Sequence, residues 1–89
     1  MEMTVDSEFL QICREVVSEN RPLEEWAELE SDDQWQTSNY VGGFDSTEMA
    51  FCFEVRRPAG KFWFQLSLGE IELIARGTMK YVQLRPAAI

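Results

Sequence analysis

Carboxylates are the most plentiful chemical groups in this chain. They crowd at Glu24 and Glu28, one helical turn apart, and at the adjacent pair Asp32 and Asp33. A catalytic acid pair needs one carboxyl in an apolar setting, so that its pKa rises and it keeps a proton near neutral pH. These four lie in a polar stretch and read as a solvated acidic face. The chain has no histidine, which removes a triad imidazole, the commonest metal ligand and the usual general base near pH 7. Cys13 and Cys52 are too few for a zinc site, and nothing activates Cys52 as a nucleophile. Glu30, Asp32 and Asp33 lack the alternating oxygen ligands, central glycine and distant glutamate of a calcium loop. Gly42-Gly43 leads into neither a phosphate-loop pattern nor a helix. The expectation is therefore a non-enzyme with no cofactor and no metal.

The formal charge of −8 is uneven. Residues 1–48 carry thirteen acidic and two basic side chains, for −11, and residues 49–89 carry three and six, for +3. Such an acidic half repels a phosphate backbone, so direct nucleic-acid binding is not expected. Arg56, Arg57 and Lys61 form a small basic cluster that a solvated turn explains. No apolar run approaches the ~18 residues of a membrane helix, and Met-Glu-Met-Thr lacks the pattern of a secretory signal. With free thiols at Cys13 and Cys52, these features predict a cytoplasmic protein with no membrane partner.

The elements that must position these groups are legible to different degrees. Met49, Phe51, Phe53 and Val55 alternate with Ala50, Cys52, Glu54 and Arg56, and Phe62, Phe64, Leu66 and Leu68 with Lys61, Trp63, Gln65 and Ser67. Alternation with period two predicts a hairpin with one aromatic face and one mixed face. A four-residue loop, 58–61, pairs Val55 with Phe64 and Phe53 with Leu66. On the mixed face it sets Arg56 beside Trp63, where a cation–π contact can form. Tryptophan beside arginine is also a composition typical of interaction hot spots. Ser67-Leu68-Gly69-Glu70 is a capping box with Leu66 and Ile71 as its staple, and Gly77 is placed to end the helix.

Upstream, Asp6 or Ser7 caps a helix running to about Glu19, with Phe9, Leu10, Cys13, Val16 and Val17 on one stripe and Asn20 as terminator. Pro22 suits the first position of a second helix carrying Glu24 and Glu25 in its opening turn and Trp26 towards the core. A strand is expected over residues 34–41, facing inward either through Trp35 and Val41 or through Tyr40. Gly42-Gly43 marks a turn or bulge, and a last strand covers residues 79–84.

The order α-α-β-β-β-α-β predicts one globular domain over residues 1–89. Its class is α+β, a mainly antiparallel sheet of three to four strands with two or three helices on one face. The expected function is binding of another protein with a basic surface, as an inhibitor or immunity-type protein does, where complementary charge speeds encounter. The residues expected to carry it are Glu24, Glu25, Glu28, Asp32, Asp33 and Trp63. The alternative is a structural or assembly homodimer without catalytic activity, formed through the mixed sheet face and an uncovered edge strand.

Overall fold

A computed structural model of the chain describes residues 1–31 and 33–86. It is an α+β fold with the elements in the order β1 (Glu2–Thr4), α1 (Ser7–Glu19), α2 (Leu23–Glu28), β2 (Trp35–Gln36), β3 (Tyr40–Asp45), β4 (Ala50–Arg57), β5 (Gly60–Leu66), α3 (Leu68–Ala75), β6 (Tyr81–Gln83) and β7 (Arg85–Pro86). The main sheet has five antiparallel strands in the order β2-β3-β4-β5-β7, and β1 pairs with β6 in a separate two-stranded sheet.

The helix ends follow local chemistry. Asp6 caps α1 by accepting from the Phe9 amide, and Asn20 ends it at φ 49°. At α3 the Ser67 hydroxyl accepts from the Glu70 amide, while Glu70 accepts from the Ser67 amide. The far end is a Schellman motif, in which Gly77 (φ 80°) and Thr78 donate to the carbonyls of Ile74 and Leu73. Pro22 stands at the N-cap of α2, one position before the expected one, because its ψ of 161° is still extended.

The aromatic face of the sheet forms as the alternation predicts, and the helices lie on it. Each of the first two helices inserts one ring among three from the sheet. Phe9 of α1 meets Tyr40, Phe53 and Phe64 at 5.0–5.3 Å between centroids. Trp26 of α2 meets Trp35, Phe44 and Phe51 at 5.2–6.5 Å. Edge-to-face and offset pairs of this kind add to the burial itself. Ile71 and Ile74 of α3 join the same core. Ile12, off the expected stripe of α1, is buried, while Val17, on it, is exposed.

Several expectations need correction. The β4–β5 faces are as predicted, yet the pairing is shifted by two residues: Phe53 opposes Phe64, Val55 opposes Phe62 and Phe51 opposes Leu66. The loop is the pair Pro58-Ala59, closed because Gly60 adopts φ 130°. On the mixed face Trp63 therefore opposes Glu54, and Arg56 opposes Lys61.

The strand expected over 34–41 is a hairpin, β2–β3, turning at Ser38-Asn39, where the Thr37 amide donates to the Tyr40 carbonyl and the Tyr40 amide to the Thr37 hydroxyl. Trp35 and Tyr40 can both be buried because they lie on different strands. Gly42 and Gly43 are inside β3 and make no turn. A Cβ on Gly42 would stand 2.1 Å from the Cys52 carbonyl oxygen, so glycine is what lets β3 approach β4. The last strand is split, β6 pairing with β1 and β7 with β5, both antiparallel.

Candidate functional site

The acidic character concentrates where α2 hands over to the loop before β2. Residues 15–33 hold eight carboxylates and one cation, Arg21. That cation is already engaged: its Nε donates to Glu19 at 2.9 Å and its Nη1 to Glu25 at 2.5 Å. The guanidinium also lies 5.8 Å from the Trp26 ring centroid. The two carboxylates hold the Arg21 proton more firmly than usual, Glu19 through the larger share. Glu24, Glu28, Glu30 and Asp33 are exposed, and none has an ion-pair partner among the described residues.

A recess of about 480 Å³ opens here, lined by Glu19, Arg21, Leu29, Glu30, Ser31, Asp33 and Gln34. Its shape follows from the backbone. Glu30 takes φ 49°, an uncommon left-handed turn for a non-glycine. The Ser31 carbonyl then accepts from the Gln34 and Phe44 amides, pinning the loop to β3. Gln34 donates to Glu19 at 3.1 Å across the recess. The Ser31 hydroxyl and the Trp26 indole N–H are buried without a partner among the described residues.

Asp33 also borders a second recess, of about 250 Å³, on the mixed face of the sheet. Its other walls are Val41, Gly42, Cys52, Phe53, Glu54 and Trp63. Trp63 is half-buried, with Arg85 over its ring at 4.9 Å from the centroid. The cation–π partner expected to be Arg56 is thus Arg85, brought in by β7. Lys61 approaches Glu54 at 3.9 Å. The Cys52 thiol has its pKa raised, first by burial and then by the Asp45 and Glu48 carboxylates, and burial pushes Cys13 up to about 12.

Of the residues expected to form the site, Asp33 and Trp63 line one recess. Glu25 reaches the acidic recess through Arg21, and Glu24 and Glu28 stand exposed on α2. Asp32 lies outside the described residues. Sequence reasoning missed Leu29 and Arg21. Leu29 follows Trp26 by three residues and so shares the apolar period of α2, a signal for burial, yet it is 42 % exposed.

Among the described residues, no three His, Cys, Asp or Glu side chains gather as a metal-holding group, and no helix is long and apolar enough to cross a membrane. Comparison with known families, curated proteins and solved structures returns no match. Among the described residues, the edge strands of the main sheet are β2 and β7, of two residues each.

Proposed function

We propose that this chain is a protein-binding domain that engages a basic protein surface through the two recesses sharing Asp33. The observation that carries the reading is the juxtaposition at that residue. On one side lies an acidic recess whose one cation among the described residues is taken up by Glu19 and Glu25, and on the other lies a tryptophan on an open sheet face. Uncompensated carboxylates steer a cationic partner into encounter, and a half-buried aromatic supplies desolvated contact once it docks. Glu24, Glu28, Glu30 and Asp33 provide the field, Trp63 the anchor. An inhibitor of a cationic enzyme or toxin fits this division of labour.

The test is affinity capture from the native host at about 0.1 M and about 1 M salt, across which the Debye length falls from about 10 to about 3 Å. The captured partner should be basic, should be released by salt, and should be lost with Glu28→Lys/Asp33→Lys. A partner that is neutral and indifferent to salt overturns the proposal.

A further inference from the structure

The helical side of the molecule carries a groove of the opposite character. It is lined by Arg14, Val17 and Ser18 of α1 and by Glu72, Ala75 and Arg76 at the end of α3, and encloses about 490 Å³. Val17 is 38 % exposed within it. Arg14 and Arg76 are exposed, and neither forms an ion pair among the described residues. Two guanidiniums against the single carboxylate of Glu72 leave this apolar surface net positive, which suits an apolar side chain flanked by two carboxylates.

The chain itself presents that complement. Leu29 closes α2 between Glu28 and Glu30, all three exposed, and the left-handed turn at Glu30 leaves the leucine at a corner of the fold. We propose that two copies of this chain pair by reciprocal insertion. Leu29 of each copy enters the α1–α3 groove of the other, with Glu28 and Glu30 set against Arg14 and Arg76. Both features adjoin the last turn of α1: Ser18 lines the groove, and Glu19 lines the recess that Leu29 borders. A two-fold axis can therefore satisfy both insertions at once, and the assembly closes at two copies without growing into a filament. The contact is small, so the dimer should be weak, half-formed at about 0.1 mM. It uses the helical side, not the open sheet face.

Sedimentation equilibrium of the full chain from about 10 μM to about 1 mM tests this range. The wild type should fit a monomer–dimer equilibrium. Leu29→Ser, Arg14→Glu/Arg76→Glu and Glu28→Arg/Glu30→Arg should each weaken association about tenfold or more. A chain carrying both charge reversals should recover to within about threefold of the wild type, which a merely misfolded protein could not do. A wild type that stays monomeric throughout overturns the proposal, as does a combined reversal that fails to recover. So does a dimer untouched by all three variants. Leu29→Ser leaves every carboxylate in place, so loss of the dimer with retained capture of a cationic partner separates this proposal from the one above.

Discussion

The Tyr40 hydroxyl donates to Asp6 Oδ2 at 2.9 Å, while Asp6 Oδ1 accepts from the Phe9 amide at 2.8 Å. One carboxylate thus caps α1 and ties that cap to the first residue of β3. Burial, then Asp6 itself, raises the Tyr40 pKa, so the phenol stays a donor at any ordinary pH. Tyr40→Phe should cost about 1.5 kcal/mol, the low end for a bond to a charged acceptor, because Asp6 can turn to water. Asp6→Ala loses the cap as well and should cost about 2–3 kcal/mol. In the Asp6→Ala background the tyrosine change should be nearly neutral. Urea melts of the four proteins supply the cycle, and full additivity would show that the bond carries no coupling.

Two residues on, Glu8 holds the turn between β2 and β3. Its carboxylate accepts from the Thr37 hydroxyl and, at 3.0 Å each, from the Asn39 amide and side chain. These bonds, Thr37 first, hold its pKa below the ordinary 4.5. A carboxyl depressed in the folded state stabilises above its unfolded pKa and loses that contribution as pH falls through the folded value. The site is largely solvated, so the loss should stay under about 1 kcal/mol. Stability measured from pH 6 down to pH 3 should fall less steeply for Glu8→Gln than for the wild type. Parallel curves would contradict the linkage.

Gly42 and Gly69 make a matched pair of tests. Alanine at Gly42 drives a methyl into the Cys52 carbonyl and the Phe53 ring, and β3 must move away from β4. About 3 kcal/mol or more should be lost. At Gly69, in the first turn of α3, the nearest atom to a new Cβ is 3.8 Å away. There alanine should be neutral or stabilising by up to about 1 kcal/mol. Thermal melts rank the two. Equal effects would mean that β3 does not approach β4 as closely as described.

The cysteines should be sluggish nucleophiles. At pH 7 alkylation of Cys52 should run slower than that of a free thiol, since both burial and acidic neighbours disfavour its thiolate. Cys13 should react only when the protein opens. In denaturant both should label at the same rate. Labelling of native Cys52 at the rate of a free thiol would refute this account.

What could be read ahead of the structure divides by range of interaction. The α3 cap and its glycine stop are both settled within about ten residues of chain, and Ser67, Glu70 and Gly77 announced them. Parity fixed which faces Phe53 and Phe64 share. It could not fix their partners, because a shift of two keeps every face, and the choice lay with Gly60 closing a turn over Pro58-Ala59. The turn at Ser38-Asn39 has neither glycine nor proline, and its support is Glu8, some thirty residues away. That is why one strand was expected where two exist. β1 and β7 are too short to show a period. They exist by pairing with β6 and β5. The acidic run was plain in the sequence. The recess it lines depends on Glu30 adopting φ 49° and on Arg21 folding back onto Glu19, and neither leaves a local mark.

The pairing of Glu2 with Gln83 also bears on the order in which the molecule assembles. Strands β3, β4 and β5 and helix α3 follow one another and touch their sequence neighbours, so they can form by closing short loops. Joining β1 to β6 closes a loop of about eighty residues, whose entropic cost is met only after the rest is in place. The β1–β6 rung should be the last to gain amide protection in refolding and the first to lose it under mild denaturant. With it would go the cover that Met3 and Val82 give the core. The lifetime of the folded state would then be set at this three-residue seam while the aromatic sheet is still intact.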